Sequence, residues 1–67
     1  MNVVSQLNQE IVRVTALLPK FDALTRDKAE RSIRFAEMAM RQVAIGDIYE
    51  SIEELKEFKD PNPATAR

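Results

Sequence analysis

The chain has 67 residues, a formal charge of −1 and a pI near 5.3, and contains neither cysteine nor histidine. This composition excludes disulfide stapling. It leaves no thiolate or imidazole for a structural metal site, and it lacks the basic excess that neutralises duplex phosphates. A single core of this size supplies roughly 3–5 kcal/mol, so self-association is the remaining source of stability. A homodimer is expected, with a marginal monomeric three-helix bundle as the alternative. No apolar run approaches the roughly 18–20 residues that span a bilayer. The opening "MNVVSQLNQE" lacks the charged start and apolar centre of a signal peptide, so a cytoplasmic protein is expected.

From the N-terminus, Val4, Leu7, Ile11, Val14 and Leu18 recur at alternating spacings of three and four. They form one stripe of a helix, which Val3 and Leu17 widen. Asn2 or Ser5 is placed to cap its start. Pro19 predicts its end near Leu18, because the residue before proline is driven out of the α region. Proline is tolerated in the first turn of a new helical segment, so "PKFDAL" reads as a short helical turn or a tight corner. Phe21 and Leu24 are expected to fold over the open end of the hairpin as a cap on the core. The alternative is an exposed aromatic knob at the bundle tip.

The second helix is "TRDKAERSIRFAEMAMRQVAI". Thr25 is a candidate N-cap, and Asp27 with Glu30 has competing capping-box spacing. Ala29, Ile33, Ala36, Met40 and Val43 form its stripe, and Ser32, Phe35 and Ala39 broaden it to roughly 160°, enough for two neighbouring helices. The alanines permit close approach. Self-association is expected through this arc and the facing side of helix one: Leu7, Ile11, Val14, Ile33, Phe35, Met40 and Val43.

Gly46 is expected at the left-handed position that ends helix two, and "DIYE", with Asp47 and Glu50, is expected to open helix three as a capping box. Ile48, Ile52, Leu55 and Phe58 form the inner stripe of that helix. Glu50, Glu53, Glu54 and Glu57 form its outer face. The closing "DPNPATAR" has two prolines and no periodicity. The predicted fold is all-α: an up-down-up arrangement in which helices one and two form a long antiparallel hairpin and a short third helix folds back. One helical domain covers residues 1–59, and a disordered tail covers 60–67.

An enzyme needs a nucleophile with a base, a carboxylate pair in a cleft, or a metal. The glutamates of helix three read as a solvated face, and no glycine-rich loop cradles phosphate. No enzymatic activity, cofactor or metal is therefore expected. Arg26, Arg31, Arg34 and Arg41 lie on the polar side of helix two. Glu30–Arg34 and Glu37–Arg41 are i,i+4 pairs worth about 0.2–0.5 kcal/mol each. Met38 falls among Arg31, Arg34 and Arg41, a combination enriched at protein interfaces; the competing reading covers it with helix three or with its own arginine stems. Tyr49, in the first turn of helix three, reads either as an interface residue or as a core-edge one. The expected partner-binding set is Phe21, Arg31, Arg34, Met38, Arg41 and Tyr49. A rival reading holds nucleotide phosphates with Lys28, Arg31 and Arg34 across a subunit boundary. A DNA-binding helix-turn-helix is disfavoured by the acids interleaved along helix two.

The succession "LLPKFDAL", a long helix ending "AIGD" and a short helix "IYESIEELKEF" is similar to a class of short prophage-encoded helical proteins over most of residues 7–58. That class includes phage quorum-sensing anti-activators, which bind and inhibit host regulators. The stretch "RSIRFAEMAM" loosely resembles phage hairpin proteins that sequester cyclic nucleotides. The chain departs from the first pattern after Leu24, where "TRDKAE" replaces a glycine-rich turn. The resemblance implies inhibition of a host protein in the host cytoplasm, with no catalytic residue to carry over; the alternative is an oligomeric sponge for a small phosphorylated signal.

Overall fold

The computed structural model describes residues 2–61. They form three helices and no strand: α1 (Val3–Leu17), α2 (Ala23–Gln42) and α3 (Ile45–Lys56), with a 3₁₀ turn at Leu18–Lys20. The all-α, up-down-up arrangement expected from the sequence is the fold observed. The Asn2 side chain caps α1 by accepting from the Val4 N–H at 2.8 Å. Pro19 lies in the first turn of the 3₁₀ segment, where its missing N–H costs no helical hydrogen bond.

Helix α2 starts earlier than either expected cap allows. Asp22 is its N-cap and accepts from the Thr25 N–H at 3.3 Å, so Thr25 and Asp27 lie inside the helix. Its C-terminus also differs from expectation. The left-handed residue is Val43 (φ 52°, ψ 42°), not Gly46, which has an ordinary φ within the first turn of α3. Val43 donates to the Met40 carbonyl at 3.2 Å, and the Ala44 N–H reaches the Ala39 carbonyl at 3.0 Å. These are the two bonds of a Schellman ending. The corner precedes Gly46 because Ala44 is already the N-cap of α3, its carbonyl taking the Ile48 N–H at 2.9 Å. Asp47 and Glu50 therefore do not form the expected capping box, as Ala44 makes no side-chain cap bond.

The core joins large side chains to small ones. Leu7, Ile11 and Val14 of α1 and Ile48, Ile52 and Leu55 of α3 are buried against Ala29, Ile33, Ala36 and Ala39 of α2. The alanines let α3 approach α2 closely, and the broad arc of α2 meets two neighbours, α1 and α3. This changes the reading of the expected self-association surface. Leu7, Ile11, Val14 and Ile33 are core residues of the single chain, because α3 covers the stripe that a second copy was expected to cover. Met40 is half-buried against the same core. Phe35 and Val43 remain outside it, Val43 at 65 % exposure because it belongs to the corner and not to the stripe. Ser51 is fully buried and its hydroxyl has no hydrogen-bond partner among the described residues, a desolvation cost of about 1–3 kcal/mol.

Arg13 fastens the end of α3. Its Nη1 donates to the Phe58 carbonyl and its Nη2 to the Leu55 carbonyl, both at 2.8 Å, while Nε and Nη2 also hold Glu10 Oε1 at 3.1 and 3.0 Å. A planar fork suits two adjacent carbonyls, and a cation at a helix C-terminus is favoured by the macrodipole. Nearby, Lys20 Nζ bonds Asp60 Oδ2 at 3.2 Å. Of the expected tail, Asp60 and Pro61 are among the described residues. The rest of the expected tail, 62–67, lies outside the described residues.

A β-branched residue in the left-handed region is strained by about 1–2 kcal/mol. Adding a Cβ to Gly46 meets nothing within 4 Å. Val43→Gly and Gly46→Ala should therefore each stabilise the chain, by roughly 0.5–1 kcal/mol. Each should raise the melting midpoint by a few degrees, up to about 4–8 °C for a full 1 kcal/mol. Calorimetry on the two variants checks this, and destabilisation by Val43→Gly would contradict a left-handed corner at that position.

Candidate interaction surface

The outer side of α2 carries most of the expected contact residues. At 3.6 residues per turn, Arg34 and Arg41 lie four before and three after Met38, as direct neighbours on the helix surface. All three are exposed, Met38 at 49 %. Arg31 is one heptad before Met38 on the same side and pairs with Asp27 at 3.2 Å. This is a well-exposed i,i+4 bridge of small energetic weight. Among the described residues, Glu30–Arg34 and Glu37–Arg41 do not close to ion-pair distance. Arg34 and Arg41 are thus not tied down by the acids expected to hold them.

Phe35 joins this side at 41 % exposure and leads into a groove of about 330 Å³ between α2 and α3, lined by Arg31, Ser32, Phe35, Glu50 and Glu54. Leu24 is exposed on the same face of α2 and does not cap the core. By sequence alone Leu24 belongs to the corner, with α2 starting at Thr25. Once α2 begins at Ala23, the series Leu24, Arg31, Phe35, Met38 (i, i+7, i+11, i+14) is visible as one line.

Two expected contacts fall elsewhere. Phe21 is only 7 % exposed: the 3₁₀ turn folds it onto the end of the bundle, where its ring lies 6.0 Å from that of Phe58. The cap reading holds for Phe21, and a docking knob there is excluded by its burial. Tyr49 is 58 % exposed, but it lies on α3 about 120° around the helix from the Glu50–Glu54 side. It does not join the Met38 face.

A second groove, about 380 Å³, opens at that same end between Phe21, Asp22 and Thr25 and the segment Glu57 to Pro61. The Asp22 carboxyl on its rim is held below the usual aspartate range. The Thr25 side-chain hydrogen bond lowers it most, partial desolvation opposes, and the Thr25 N–H adds a further lowering. Among the described residues no group of three or more carboxylates is placed to hold a metal ion. No helix there is long and apolar enough to cross a membrane. In comparisons with known proteins, no family model, no curated protein and no solved structure matches the chain.

The depressed Asp22 value fixes a sign. A carboxyl whose folded pKa lies below its unfolded one contributes stability above the unfolded value and loses it as pH falls through the folded value. The thermal midpoint should decline as pH is lowered through and below about 4. Asp22→Asn, which keeps a capping oxygen, should flatten that decline. Circular-dichroism melts of both chains from neutral to acid pH read this directly; equal slopes would remove Asp22 from the account of the cap.

Proposed function

We propose that this chain is a non-enzymatic protein-binding module. It acts stoichiometrically, covering a functional surface of a host regulator of the kind implied by its resemblance to short prophage-encoded proteins. The observation that carries this reading is Met38: a half-exposed, adaptable apolar side chain flanked by exposed Arg34 and Arg41 on a rigid 20-residue helix. An apolar anchor ringed by cations provides affinity at its centre and steering at its rim. The cations favour a partner surface with an acidic rim and an apolar pocket.

The nucleotide-sponge reading is weaker on the same geometry. Arg31 is engaged with Asp27, and the groove beside it carries Glu50 and Glu54, whose charges repel phosphate.

Met38→Asp should abolish capture of the partner from a host lysate, and Arg34→Glu with Arg41→Glu should weaken it at least tenfold and remove its salt dependence. Helical circular dichroism should be unchanged, because all three side chains are exposed. Affinity capture of wild type and variants in parallel, with mass spectrometry of bound proteins and small molecules, is the test. Recovery of a nucleotide and no stoichiometric protein would overturn the proposal, as would undiminished capture by Met38→Asp.

A further inference from the structure

We infer that Met38 is a redox modification site, at which a peroxide switches the partner surface off without unfolding the chain. The switching role rests on the proposal that Met38 anchors a partner; the chemistry at its sulfur does not. The first observation is where the oxidisable atoms lie. The chain has no cysteine, histidine or tryptophan, and three methionines. Met1 lies outside the described residues, and Met40 is half-buried against the core. Met38 is exposed on the outer side of α2 and takes no part in the core. A peroxide must reach the sulfur to react with it, so Met38 is oxidised before Met40. Its Sδ lone pair attacks one oxygen of hydrogen peroxide. The O–O bond breaks, an S–O bond forms, and the departing hydroxide takes the proton of the transferred oxygen and leaves as water. Sulfur loses two electrons and the peroxide gains them, which gives the sulfoxide.

The second observation is what flanks the sulfur. Arg34, four residues before it, and Arg41, three after, are its neighbours on the helix surface. Both are exposed, and neither is held in an ion pair among the described residues. A thioether is a weak acceptor and offers these guanidinium groups little. A sulfoxide oxygen is a strong one, and charge-assisted N–H···O bonds from Arg34 and Arg41 hold it. Oxidation therefore turns the apolar anchor polar and engages both flanking cations, removing the centre and the rim of the partner surface together. The core contains none of these three residues and is left intact. Methionine sulfoxide reductases reverse the step.

Dilute hydrogen peroxide added to the intact chain tests the inference. By peptide mapping, Met38 should gain oxygen at least about threefold faster than Met40 in the folded chain, and the two rates should converge in denaturant. The remaining measurements use Met40→Leu, a volume-conserving swap. Oxidation of Met38 should leave its helical circular dichroism unchanged. The Nε–H resonances of Arg34 and Arg41 should shift, while that of Arg13, held by Glu10, stays. Adding Met38→Leu should abolish the shifts. Sulfoxide reductases for both epimers, with a thiol reductant, should restore the starting spectrum. Equal rates for Met38 and Met40 in the folded chain overturn the inference, as do loss of helix or arginine resonances that do not respond. Capture of a host partner should fall at least about tenfold on oxidation, and undiminished capture overturns the switch. A chain that is oxidised selectively but captures no partner contradicts the partner-binding proposal and leaves the modification site standing.

Discussion

Helix three has to lie on the helical hairpin, because the hairpin cannot bury its own stripes. The inner face of α2 is mostly alanine, at 29, 36 and 39, with Ile33 as its one large fully packed residue. Against so shallow a surface, Leu7, Ile11 and Val14 of α1 would stay half in water. Ile48, Ile52 and Leu55 supply the missing volume, and they reach it because small side chains let helix axes approach. Arg13 fixes the far end of that arrangement by donating to the Phe58 carbonyl and to the Leu55 carbonyl, which also takes the Phe58 N–H at 3.1 Å. Phe58 is thereby held over Phe21, and the end of the bundle is closed.

That closure decides which surfaces are left for function. Once α3 occupies the apolar arc, the stripe residues of α1 and α2 are no longer available to another molecule. The outside of α2 stays open, where Leu24, Phe35 and Met38 are exposed among arginines. A fully solvated helix face has no need of three large apolar side chains in one line, so their presence supports the proposal of partner binding.

Much of the fold was legible because it rests on periodicity. The three-four spacing of Leu7, Ile11 and Val14, the alanines of α2 and the Ile48–Ile52–Leu55 stripe each name their own burial. What was not legible depends on local competition or on distance. Gly46 is the better left-handed residue by propensity, yet the turn falls on Val43, since Ala44 must already start α3 for Ile48 to reach the core. Asp22 is hidden as a cap because, by sequence alone, the corner containing it extends through Leu24. Arg13 could not be found at all: its partners are backbone carbonyls more than forty residues away, and carbonyls leave no mark in a sequence. The candidate surface was half legible. Met38 and its arginines follow from counting along one helix, whereas the burial of Phe21 and the separate position of Tyr49 depend on how α3 and its end pack.

The central claim is that α3 is an integral wall of one cooperative core and not an accessory to a self-sufficient hairpin. Native-state amide hydrogen exchange on the intact chain tests it most directly. Amides in the middle of α1, α2 and α3, at Val14, Ala36 and Ile52, should open with a single common free energy equal to that of global unfolding. Exchange of the α3 amides at markedly lower free energy, with α1 and α2 still protected, would contradict the account and return the stripe of the hairpin to the list of available surfaces.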